Sequence, residues 1–170
     1  MYTALALTFF CNSAAGQFTQ SQMIAEWQRA KAYSKAYLDA MPADGYRFKP
    51  TPEIRSFAEQ MLHLANDNYG FASYACGKPD PIGDSSLEKT VSPTKEATTK
   101  AVMDSYDFMI SSMKSMTPDQ MNETVKSNNA KEISRANLFG KAFEHQTHHR
   151  GQTTIYLRLK GVTPPPEMLF

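Results

Sequence analysis

Phe143-Glu144-His145-Gln146-Thr147-His148-His149-Arg150-Gly151-Gln152 places three of the chain's four histidines within five residues of a segment with helical patterning. Around it, Leu138, Ala142, His145, His149, Gln152, Tyr156 and Leu159 recur at intervals of four and three, the spacing of the inward seam of a packed helix. Two histidines four apart on a helix project from one face about one turn from each other, and imidazole is a common ligand of zinc, nickel and iron. The seam selects His145 and His149. Pairing His145 with His148 instead would put one ligand at the edge of the stripe. A single histidine on a buried face is ordinarily a hydrogen-bonded core residue. Two of them, followed at the next turns by Gln152 and Tyr156, crowd one seam with polar groups that cost roughly a few kcal/mol unless each finds a partner. A metal would supply one.

Outward from this segment the chain reads as four amphipathic helices. The first runs from about Ser21 to Met41, with Met23, Ile24, Trp27, Ala30, Ser34, Tyr37, Leu38 and Met41 on one broad face and Pro42 to Gly45 ending it. Thr51-Pro52-Glu53 predicts the start of the second, with a capping hydroxyl, proline at the first helical position and an acid in the first turn. That helix continues to Cys76 and stops at Gly77-Lys78-Pro79. A polar connection from Pro79 to Val91 shows no strand alternation. Ser92-Pro93 opens the third helix, whose core stripe is Ala101, Val102, Met109, Met113 and Met116; the methionines are gap-fillers, not ligands. Thr117-Pro118-Asp119-Gln120 restarts a short helix with a capping box, Asn122 to Lys131 is a polar excursion, and Ser134 caps the fourth helix, which ends at Gly161 before Thr163-Pro164-Pro165-Pro166. Four such helices without strands predict an all-α four-helix bundle, in which sites are built from facing helices.

A third ligand should then come from another helix, and His63 in the second helix is the candidate that is left. Ile54, Ala58, Met61, Ala65 and Ala72 form one apolar stripe; His63 lies on the other side with Ser56, Glu59, Asn66 and Gly70. By periodicity alone that second stripe is either solvent face or the wall of a polar cavity.

Composition bounds the function. At 170 residues there is room for one domain, residues 17–170, with a real core. A formal charge of +1 leaves no electrostatic footprint for nucleic acid, and Arg158 and Lys160 are solvated or capping residues at a helix end. The two cysteines, Cys11 and Cys76, form no Cys-x-x-Cys pair and so support neither a thiolate metal site nor a disulfide scaffold. Residues 1–16 read as a signal peptide. Ala4 to Cys11 is a short apolar run, Ser13-Ala14-Ala15-Gly16 offers small residues for cleavage, and the run is too short to span a bilayer, although no Lys or Arg precedes it. The reading is an exported protein if that leader functions and a cytoplasmic one otherwise, with no stable membrane insertion.

Thr51-Pro52-Glu53-Ile54-Arg55-Ser56-Phe57-Ala58-Glu59-Gln60-Met61-Leu62-His63-Leu64-Ala65, taken with His145-Gln146-Thr147-His148-His149-Arg150-Gly151-Gln152, resembles the DinB-like (DinB/YfiT) superfamily of metal-binding four-helix bundles from about residue 21 to the end. The resemblance implies a divalent metal, usually nickel or zinc, held by His63, His145 and His149, and it makes the polar stripe a pocket wall. It also implies a small-molecule substrate, a possible homodimer, and either metal-dependent activation of water or a thiol, as in a hydrolase or thiol S-transferase, or a non-catalytic binding module. Three neutral imidazoles leave a divalent ion its full charge and an open position, the arrangement of catalytic rather than structural sites. Glu59, Asn66, Gln152 and Tyr156 are the polar residues that spacing puts within a turn or two of the histidines, where they could orient a ligand or relay a proton. His148 and Arg150 are outer or surface residues.

Overall fold

The computed structural model describes residues 18–126 and 131–170. The proposed leader and Cys11 lie outside the described residues. Among the described residues, six α-helices and one antiparallel strand pair follow in the order α1 (Gln20–Ala40), a 3-10 turn (Ala43–Gly45), α2 (Phe57–Cys76), α3 (Leu87–Thr90), α4 (Lys95–Lys114), α5 (Pro118–Asn122), β1 (Thr124–Lys126), β2 (Glu132–Ser134) and α6 (Arg135–Leu159). The four long helices α1, α2, α4 and α6 form the bundle. Both α1 and α2 pack on α4 and on α6, so the first two long helices occupy opposite corners and the polypeptide crosses the bundle between them. The core is aromatic and methionine-rich, with Trp27, Tyr46, Phe57, Tyr106, Phe139, Met61, Met109 and Met113 fully buried. Trp27 lies edge-on to Tyr106 and Phe143, with ring centroids 5.7 and 5.5 Å apart.

Local hydrogen-bonding chemistry sets the helix starts, and in two places it departs from the reading above. α2 begins not at Thr51-Pro52 but five residues later. Ser56 Oγ accepts from Glu59 N at 3.2 Å, and Glu59 Oε2 accepts from Ser56 N at 2.6 Å, a reciprocal capping box immediately before the apolar run that opens at Phe57. Thr51 to Ile54 form only a turn, and Ile54 is exposed instead of joining the α2 stripe. α4 likewise starts after Thr94, whose hydroxyl accepts from Ala97 N, and not at Ser92-Pro93. The expected cap residues Thr117 and Ser134 do cap α5 and α6, and Gly77 ends α2 with φ of 64°.

A strand pair begins in the polar excursion and ends just beyond it, correcting the strand-free reading. Thr124, Val125 and Lys126 pair antiparallel with Ser134, Ile133 and Glu132, and the half-buried Val125 and Ile133 pack on the core. α3 interrupts the connection between α2 and α4. Its Leu87 is buried, and Leu87 N donates to Asn66 Oδ1 at 3.2 Å, which pins α3 onto α2.

The inward side of α6 is broader than the seam read from spacing. Leu138, Ala142, His149 and Tyr156 are buried, but so are Gln146, Arg150, Thr153 and Leu157, whereas Gln152 and Leu159 are exposed. The reason is that α6 faces two helices, α1 and α2. On the α1 side a buried polar chain runs from Ser34 Oγ to Tyr106 Oη (2.6 Å), to Gln146 Oε1 (2.8 Å), to Arg150 (3.0 Å). The Arg150 guanidinium lies 4.3 Å from the centre of the Tyr33 ring, so this residue is a core cation stacked on an aromatic face and not a surface group.

Candidate metal centre

The α2 side of α6 carries His145 and His149 one helical turn apart, and the crossing of α2 brings His63 against them. One ligand-capable atom from each of the three lies within 4.8 Å of the others. Their ring centroids are 4.3 to 5.3 Å apart. His148 stays outside the group; it is exposed and its Nε2 meets Gln152 at 2.9 Å. Spacing on α6 and the crossing of two helices thus collect three of the chain's four histidines.

Each of the three rings has one nitrogen tied to a neighbour. His63 Nδ1 lies 3.1 Å from Glu88 Oε1, and Glu88 Oε2 accepts from Arg55 Nε at 2.8 Å. A second Arg55 nitrogen lies 3.4 Å from the same His63 atom. His145 Nε2 lies 2.9 Å from Asp67 Oδ2, and His149 Nδ1 lies 2.8 Å from Gln60 Nε2. Gln60 is buried, and Tyr156 Oη, donating to the Arg55 carbonyl at 2.8 Å, fixes the backbone that carries Arg55. At His63 and His145 that neighbour is a carboxylate, the partner to which metal-bound histidines characteristically donate their remaining ring N–H.

The electrostatics suit a cation. Burial, followed by the proximity of His145 and His63, pushes the His149 pKa down to about 3, so its ring is neutral and keeps a lone pair at neutral pH. Burial works against the Asp67 charge, but the hydrogen bond from His145 and the closeness of the other two histidines more than offset it and hold the carboxyl below its ordinary range. His145 Nδ1 is buried and has no hydrogen-bond partner among the described residues. A buried ring nitrogen without a partner, beside two further imidazoles, is what a divalent cation would complete, so the residues present fit such a metal.

A cleft of about 760 Å³ opens beside the cluster, lined by Pro50, Glu53, Ile54, Arg55, Gln60, Glu88, Gln152, Ile155 and Tyr156. Arg55, Gln60 and Glu88 therefore belong both to its wall and to the ring of groups that hold the histidines. The two residues that spacing nominated on α2 do other work. Glu59 closes the α2 capping box and pairs with Lys49 at 3.1 Å, and Asn66 holds α3. Asp67 and Gln60 were legible in principle, four residues after and three before His63 on one helix; Glu88 was not, since it arrives from α3 through a connection with no periodic pattern.

The model of the DinB family matches residues 11–168. Among solved structures, a DinB-like protein from Bacillus cereus superposes with a TM-score of 0.73 at 15% identity, covering 88% of this chain and 99% of its own. The DinB-like protein YjoA from Bacillus subtilis gives 0.68 at 18% identity over 86% and 97% of the two chains. YfiT from Bacillus subtilis, a probable metal-dependent hydrolase with an unusual four-helix bundle topology, gives 0.65 at 13% identity over 90% and 94%. At these identities the likeness is one of fold. No curated protein is significantly similar in sequence.

Proposed function

The chain belongs to the DinB family, and on that premise we propose that it is a divalent-metal-dependent hydrolase of a small molecule, with His63, His145 and His149 as ligands of nickel or zinc. The observation that carries this is the sharing of residues between cluster and cleft: Arg55, Gln60 and Glu88 both bound the histidines and face the open volume. A molecule seated in the cleft is therefore separated from the rings of His63 and His149 only by the side chains that hold them. The fold neighbour YfiT, a probable metal-dependent hydrolase, lends the reaction class.

When bound, a divalent metal in a three-histidine site supplies a water of lowered pKa and a Lewis acid. The chain supplies the rest. Ile54, Ile155, Pro50 and Tyr156 give the cleft an apolar wall, and Gln152 and the guanidinium of Arg55 offer donors to a polar substrate group. Glu88 accepts from both Arg55 and His63, so one carboxylate keeps the substrate-facing cation and the ligand ring in register.

The test is elemental analysis of untagged protein beside the His63/His145/His149→Ala triple variant, followed by a panel of chromogenic esters, amides and phosphoesters. About one nickel or zinc per chain, lost in the variant together with hydrolysis, supports the reading. Metal-dependent thiol transfer without hydrolysis would replace it by the S-transferase reading, and metal without turnover by a binding module.

A further inference from the structure

We infer that the three histidines present different ring nitrogens to the metal, His145 through Nδ1 and His63 and His149 through Nε2, and that Asp67 is the positioning residue that sets the odd one. The inference rests on the metal-binding reading above. Asp67 follows His63 by one turn of α2, and its Oδ2 reaches across to α6, 2.9 Å from His145 Nε2. A carboxylate accepts, so the nitrogen that faces it, Nε2, is the donor, and the nitrogen left to meet a metal is Nδ1. That atom is the buried nitrogen without a hydrogen-bond partner. His63 is arranged the other way round, with Nδ1 3.1 Å from Glu88 Oε1 and Nε2 3.8 Å from Asp67, beyond hydrogen-bond range. His149 Nδ1 is covered by the Gln60 amide, which leaves Nε2 as its open nitrogen once that amide turns to present Oε1 to Nδ1–H. Two carboxylates from different elements, Asp67 on α2 and Glu88 on α3, thus hold opposite nitrogens of two ligand rings.

The experiment is long-range proton–nitrogen correlation NMR of the histidine rings, on 15N-labelled protein with and without one equivalent of zinc, with His148→Gln identifying the exposed ring. Zinc affinity of the wild type, Asp67→Ala and Asp67→Asn is measured alongside by competition with a chromogenic chelator. His145 should carry its proton on Nε2 in both states and show the zinc-shifted signal at Nδ1, while His63 and His149 show it at Nε2. Asp67→Ala should weaken zinc binding by about 10- to 100-fold, the usual scale for losing such a partner. Asp67→Asn keeps the side-chain shape and a neutral acceptor, so it should preserve the His145 tautomer with a smaller loss. Zinc held through Nε2 of all three rings, with unchanged affinity in both Asp67 variants, would overturn the inference and leave the metal reading standing. A wild type that binds no zinc would overturn both.

Discussion

Gln60 Nε2 lies 2.8 Å from Nδ1 of His149 across the α2–α6 interface, and both side chains are buried. An amide nitrogen only donates, so in this arrangement the His149 ring keeps its proton on Nε2. Coordination through Nε2 requires that proton to leave and Nδ1–H to find an acceptor. Gln60 can provide one by turning its amide to present Oε1.

The first prediction follows from that turn. Gln60→Met removes the acceptor while keeping the volume, and zinc affinity should fall by about 10-fold or more. Gln60→Glu offers a permanent acceptor to Nδ1–H and should bind zinc at least as tightly as the wild type. Isothermal titration of the three proteins checks both; tighter binding by the Met variant would exclude a holding role for Gln60.

The histidines should not be equivalent. His63→Ala, His145→Ala and His149→Ala should each lower bound metal sharply, whereas His148→Ala should leave it nearly unchanged, because His148 points outward to Gln152. Metal content by mass spectrometry of the four purified variants decides this. Equal losses in all four would discard the ligand assignment.

Acid should destabilise the metal-free protein well above the carboxylate range. The unfolded chain titrates His149 near the ordinary histidine value of 6.5, while burial holds the folded ring near 3, so below about pH 6.5 the unfolded state binds a proton that the folded state refuses. The stability carried by the neutral ring is complete above that pH and is lost as the pH falls toward 3. Asp67, whose folded pKa is lowered, acts in the same sense at lower pH, its contribution disappearing below the ordinary aspartate range. Urea midpoints should therefore fall between about pH 7 and about pH 5, with a shallower slope in His149→Gln. Zinc at a hundred times its Kd should add about 2.7 kcal/mol near neutrality, and this increment should shrink in acid because the ligands must be deprotonated. A midpoint independent of pH over that range would contradict the burial of a neutral His149.

Much of this site is written in local spacing. The four-residue interval of His145 and His149 survives folding because α6 is uninterrupted through it, and the capping signals at Thr117 and Ser134 are short-range chemistry that tertiary contacts do not override. What spacing could not supply is which side of α2 faces a partner. A single apolar stripe implies one buried side, but α2 packs against both α4 and α6, so the polar stripe with His63 and Asp67 is an interface too. The same limit explains Arg150, which reads as an outer residue until α1 is seen to cover it with Tyr33. Glu88 depends on the chain returning to α2 through Leu87 and Asn66, a long-range contact without a periodic signature.

The start of α2 gives the last prediction, because two capping signals five residues apart compete in one segment. Thr51-Pro52-Glu53 has the right residue types, yet Pro52, Glu53 and Ile54 are exposed, so an extra turn of helix there would bury no apolar side chain. Ser56 and Glu59 close both halves of the box directly before Phe57, Ala58 and Met61 enter the core. Ser56→Ala should thus cost about 1 kcal/mol, within the usual range for losing a side-chain cap, whereas Thr51→Ala should fall within about 0.5 kcal/mol of the wild type. The cap lies two turns before His63, and Arg55, the residue immediately preceding it, holds Glu88. Fraying at Ser56 should therefore weaken zinc binding measurably in Ser56→Ala and leave Thr51→Ala unaffected. Chemical denaturation and zinc titration of the two variants separate the alternatives, and a larger effect from Thr51 on both measures would move the functional start of the helix back to Pro52.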